Sequence, residues 1–170
     1  MRIFFMITAL LLCGTLSAQN EQPKAETIAK VGEMVPDFTV TMFDGKQINI
    51  ASLRGKVVLI GFWATWCPPC NMEMSRVQKD IFDKFAGKDF MFLPISRGET
   101  RDVVAKWLEK KGYKFNVGLD PDKKIWDKFA VSGVPRSYLI DRSGKIVEFE
   151  LGYEAESFDK MVDKIAQMLK

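Results

Sequence analysis

Cys67 and Cys70 stand three positions apart, separated only by Pro68 and Pro69, at the seam between a β-rich apolar run and a helix-spaced apolar stripe. Prolines suit the first turn of a helix, whose N–H groups lack intrahelical partners in any case. A cysteine at such a helix start lies near those N–H groups and the positive end of the dipole, which favour thiolate over thiol. Cys67 is therefore the expected nucleophile. One turn inside, on the apolar stripe, Cys70 is expected to stay protonated until Cys67 has formed a mixed disulfide with a substrate, and then to resolve it. Trp66 is expected to cover one side of Cys67, and Pro68-Pro69 to influence redox poise by fixing how the helix end meets the thiolate. A zinc knuckle needs about four protein ligands, or three plus water, and neither a histidine nor a second cysteine pair is present. A structural bridge closing so small a loop removes too little chain entropy to staple a fold. Redox exchange is the reading that remains, with no metal and no cofactor beyond the Cys67–Cys70 disulfide itself.

The segments around the pair determine where it sits. Asp37 to Ile50 alternates around a turn at Asp44-Gly45-Lys46 and reads as a β-hairpin, and Lys56 to Ala64 reads as a buried central strand. Met74, Val77, Ile81 and Phe85 continue the helix begun at the cysteines. Further on, Phe90 to Ile95 is expected as a strand, Thr100 to Lys110 as a helix, Lys114 to Gly118 as a short strand and Lys123 to Phe129 as a helix. Ser137 to Asp141 and Lys145 to Leu151 form a second hairpin across Arg142-Ser143-Gly144, and Phe158 to Leu169 closes the chain as an amphipathic helix. This order implies an α/β fold with a mixed sheet flanked by helices. Phe62, Trp63, Phe82, Phe85, Phe92, Met72 and Met74 are expected in the core, and Lys106, Lys110 and Lys111 on a solvated helix face.

Composition narrows the function. The 170 residues are 47% hydrophobic and 28% charged, with 25 Lys plus Arg interspersed among 22 Asp plus Glu, so no large single-sign field invites nucleic acid. The absence of histidine removes the commonest general base. Residues 1–18 combine Arg2, an apolar run from Ile3 to Leu12 and small residues toward Ala18, the pattern of a secretory signal. Residues 19–31 then read as a linker and 32–170 as one domain. Cleavage after Ala18 is favoured over lipid attachment at Cys13, because Leu10, Leu11 and Leu12 precede that cysteine.

The segment Phe62-Trp63-Ala64-Thr65-Trp66-Cys67-Pro68-Pro69-Cys70, with Gly133-Val134-Pro135 downstream, resembles the exported TlpA/ResA-type redoxins of the thioredoxin-like superfamily over roughly residues 32–170. The resemblance implies a thioredoxin fold with an added N-terminal β-hairpin and a central insertion. It implies that Pro135 is a cis-proline facing the cysteines and that the Val134 backbone pairs with substrate. Two departures stand out. Arg136 occupies a place where threonine is frequent, which bears on the shape and charge of the substrate groove, and Gly61 replaces the buried aspartate of thioredoxin itself. Glu73, three residues after Cys70 on nearly the same helix face, matches the glutamate that ResA-like proteins keep near their cysteines. It is the expected acceptor of the Cys70 proton.

By the same resemblance the chain is expected to reduce disulfides in other exported proteins, in the bacterial periplasm, as a monomer supplied by a membrane electron donor and often serving apocytochrome c. Two alternatives stay open at this point: a peroxiredoxin-like thiol peroxidase, since Thr65 and a proline flank the cysteine, and a non-catalytic binding or chaperone module using the groove around Val134 and Pro135.

Overall fold

The computed structural model describes residues 26–170. The signal segment 1–18, Cys13 and most of the linker lie outside them. The linker's far end belongs to the folded unit: Ala29 is buried, Thr27 bridges Ala130, and the N–H groups of Ile28 and Ala29 both donate to the Phe129 carbonyl.

The elements run β1 (Thr39–Met42), β2 (Gln47–Asn49), β3 (Val57–Trp63), α1 (Pro68–Val77), β4 (Phe90–Arg97), α2 (Arg101–Lys111), β5 (Gly118–Asp120), β6 (Arg136–Ile140), β7 (Ile146–Leu151) and α3 (Ala155–Met168). One seven-stranded sheet has the order β2-β1-β5-β4-β3-β6-β7. Strands β3, β4 and β5 are parallel to one another, and the remaining pairings are antiparallel. All seven residues of β3 are buried, as a central strand covered on both faces requires. Its alternation sorts the two layers. Val57, Leu59 and Trp63 face a core built with α1, α2 and α3, whereas Val58, Ile60 and Phe62 face one closed by Phe38, Trp126, Phe129 and the N-terminal segment.

Two elements differ from expectation. Residues 114–117 are not a strand, and β5 begins at Gly118, where the expected strand ends. A Cβ on Gly118 would lie 2.7 Å from Val40 Cγ2 and 3.1 Å from Ile95 Cγ1, so the chain enters the sheet between β1 and β4 at a residue with no side chain. The helix expected over Lys123–Phe129 shrinks to a 3₁₀ turn at Trp126–Lys128. Asp120 accepts from the N–H groups of Ile125 and Trp126, and Lys123 has φ 58°, so the chain is pinned to the end of β5 rather than free to wind a longer helix. The helix α1 also changes pitch after Val77, passing into a π-helical segment over Gln78–Asp83, while Ile81 and Phe85 keep the buried stripe intact.

Candidate functional site

Strand β3 delivers the chain to the cysteines. Cys67 is the N-cap of α1, and its Sγ accepts from the Cys70 N–H at 3.2 Å. This places the sulfur where a helix end stabilises negative charge. The two residues form a disulfide with an S–S length of 2.08 Å. Cys67 is 2% exposed and Cys70 fully buried, whereas Trp66 beside them is 63% exposed. Pro68 is exposed and Pro69 half-buried in the first turn. Opposite the pair, the Val134–Pro135 peptide is cis, and the Val134 carbonyl oxygen lies 3.6 Å from Cys67 Sγ. Cys67 Sγ thus has the Val134 carbonyl against it and the exposed Trp66 as its neighbour in the chain.

Glu73 sits one turn beyond Cys70 and is half-buried, its Oε1 accepting from the Ser137 hydroxyl of β6 at 3.2 Å. Burial pushes its carboxyl up from 4.5 to about 7, with the Ser137 hydrogen bond opposing in part. A group poised near neutrality suits proton transfer at working pH. It also lines a pocket with Leu59, Ser137, Tyr153, Phe158 and Met161, open to solvent along α3. Gly61 lies opposite Ser137 in the ladder, and a Cβ there would stand 3.1 Å from the Phe92 ring and 3.7 Å from Ser137 Oγ. The Glu73 carboxyl thus approaches the Gly61 position from α1, by way of Ser137.

Reading the sequence missed how the corner before Cys67 is held. Thr65 is bound at every polar group it has: its N–H and hydroxyl donate to the Glu99 carboxylate, and its carbonyl accepts from Asn71 Nδ2. Glu99, buried in the loop between β4 and α2, also accepts from Ser96 Oγ at 2.9 Å. Asn71 further donates to the Cys67 carbonyl at 2.8 Å and accepts from the Trp107 indole of α2 at 2.8 Å. An asparagine four residues after an N-cap cysteine was a visible signal. A glutamate in a Gly-Glu-Thr loop carried none.

Residues 31–149 match the AhpC/TSA family. The chain is 32% identical over 166 residues to a thiol-disulfide oxidoreductase ResA of Bacillus cereus, covering 96% of this chain and 95% of that protein. It is also 32% identical to the ResA of Bacillus subtilis over 126 residues, 74% of this chain and 70% of that one. A solution structure from Bacteroides thetaiotaomicron, described as a candidate protein disulfide isomerase, superposes with a TM-score of 0.81 at 42% identity, covering 85% of this chain and 93% of its own. The chain belongs to the AhpC/TSA family, as a ResA-type thiol-disulfide oxidoreductase.

For a ResA-type oxidoreductase, two side chains lie elsewhere than expected. Arg136 does not charge the substrate groove: it is 0% exposed, on the face of β6 turned away from α1. Met72, expected in the core, is 59% exposed, because α1 buries the face carrying Cys70, Met74 and Val77 and Met72 projects from another side. Lys106, Lys110 and Lys111 are exposed on α2.

Proposed function

We propose that this chain works outside the cytoplasm as a reductant of protein disulfides, with Cys67 as nucleophile, Cys70 as resolving thiol and Glu73 as proton acceptor. The observation that carries the reading is the Cys67 sulfur at the tip of α1, receiving the Cys70 N–H and facing the Val134 carbonyl. In the dithiol form the Cys67 thiolate attacks one sulfur of a substrate disulfide. That S–S bond breaks, a substrate thiolate leaves, and a mixed disulfide forms. Glu73 takes the Cys70 proton, and the Cys70 thiolate attacks Cys67 Sγ. The second substrate thiolate departs and the Cys67–Cys70 disulfide forms, so the client gains two electrons and the oxidoreductase loses them. Solvent protonates the released thiolates. A dithiol donor at the membrane then resets the pair.

Trp66, Pro68, Pro69, Val134 and Pro135 form the surface against which the client lies. Export follows from the leader-like pattern of residues 1–18, which lie outside the described residues; within those residues no helix is long and apolar enough to cross a membrane. Expression of Cys70→Ser in the native envelope tests the proposal. Client proteins trapped on Cys67, a cytochrome c precursor among them, are the expected result. Peroxide consumption without insulin reduction by the wild-type protein would instead assign it a peroxidase role.

A further inference from the structure

Arg136 is a charged residue with no exposed surface, and among the described residues no carboxylate pairs with it. Burying a cation is expensive unless its donors are met. Here they are met by two successive backbone carbonyls and two hydroxyls. Nε donates to the Gly133 carbonyl at 3.2 Å and Nη2 to the Ser132 carbonyl at 2.7 Å. Nη1 donates to Thr27 Oγ1 at 2.7 Å and to the Tyr138 hydroxyl at 3.4 Å, while the guanidinium lies 4.9 Å from the Phe149 ring centroid and 5.7 Å from that of Trp126. A planar fork reaching two successive carbonyls is a geometry that a lysine ammonium does not reproduce.

The residue after that gripped dipeptide is Val134. With the Ser132 and Gly133 carbonyls turned inward, the Val134 carbonyl faces Cys67 Sγ, and among the described residues its N–H meets no acceptor. Both polar groups of a half-buried backbone unit are therefore available to an incoming strand. The grip extends to the N-terminal segment, because Thr27 bridges Ala130 and the Val131 N–H donates to the Glu26 carbonyl.

We propose that Arg136 is a positioning residue that holds the Val134 edge in register with Cys67, so that extended protein segments flanking a disulfide are bound in preference to small disulfides. This rests on the reading of Val134 as the substrate-pairing residue.

The test compares reduced wild type with Arg136→Lys and Arg136→Met, at a temperature where circular dichroism shows each to be folded. One substrate is insulin. The other is a small aryl disulfide, 5,5′-dithiobis(2-nitrobenzoate), which has no backbone to pair. The loss of one or two backbone hydrogen bonds predicts that kcat/KM for insulin falls about tenfold, chiefly through KM, while the aryl disulfide rate stays within about twofold. Equal losses on both substrates, or an unchanged insulin rate in a folded variant, would overturn the proposal. Should neither Arg136 variant fold, Thr27→Val decides, since it removes the nearer of the two acceptors of Nη1 and leaves the cation in place. A loss selective for insulin then supports the positioning role, and an insulin rate equal to wild type refutes it. A wild-type protein unable to reduce insulin at all would instead remove the function proposed above.

Discussion

The Ser137 hydroxyl donates to Glu73 Oε1 across 3.2 Å and ties β6 to α1 one turn beyond Cys70. A carboxyl raised by burial from 4.5 to about 7 stays protonated in the folded protein over a range where the unfolded chain has released its proton. The folded state then binds more protons than the unfolded one, so stability falls as pH rises from about 4.5 to about 7 and levels off above. A displacement of that size corresponds to about 3 kcal/mol. Urea unfolding of the disulfide form should show this slope, and Glu73→Gln should flatten it. In the same variant the exchange rate should lose its rise through pH 7; an unaltered rate profile would remove Glu73 from the mechanism.

Glu99 is the acceptor for three donors in the loop framework around Thr65. Glu99→Gln sets an amide N–H₂ against at least one of them and should cost about 2 kcal/mol. Amide hydrogen exchange at Thr65 should accelerate more than at strand positions of β3. Equal protection in both proteins would mean that the corner is held by other contacts.

Trp66 is 63% exposed, next to Cys67 in the chain, and does not fill the core. Replacement by alanine should change stability by less than about 0.5 kcal/mol. As an exposed aromatic anchor for a client, its loss should raise KM for insulin about threefold to tenfold. Steady-state turnover at several insulin concentrations measures this, and an unmoved KM would take Trp66 out of the binding surface.

Gly118 leaves no room for a side chain between Val40 and Ile95. Gly118→Ala should destabilise by about 1–3 kcal/mol through overpacking, with turnover per folded molecule unchanged. A denaturation midpoint equal to that of wild type would show that β1 and β4 can part at little cost.

Much of this site was legible from residue order. Cys67 at a helix start, Cys70 on the inner stripe and the hairpins at either end follow from spacing and periodicity, because those features are local. What escaped depends on contacts between distant segments. Nothing near Glu99 signals that it meets Thr65, 34 residues earlier. The pattern Arg-Ser-Tyr-Leu-Ile in β6 is buried on both faces, so alternation does not say which side Arg136 occupies. The strand expected over 114–118 failed because entry into the sheet was decided by steric clearance at Gly118, which depends on Val40 and Ile95 rather than on neighbouring residues.

A chain without a single imidazole has an unusually quiet titration curve around neutrality. Burial lifts the Glu73 carboxyl into that interval. Proton uptake recorded by calorimetry in paired buffers, as the disulfide is opened and closed, therefore reads Glu73 together with the two thiols, and the difference between wild type and Glu73→Gln isolates the carboxyl. The molecule carries its own indicator of how electron transfer and proton transfer are coupled.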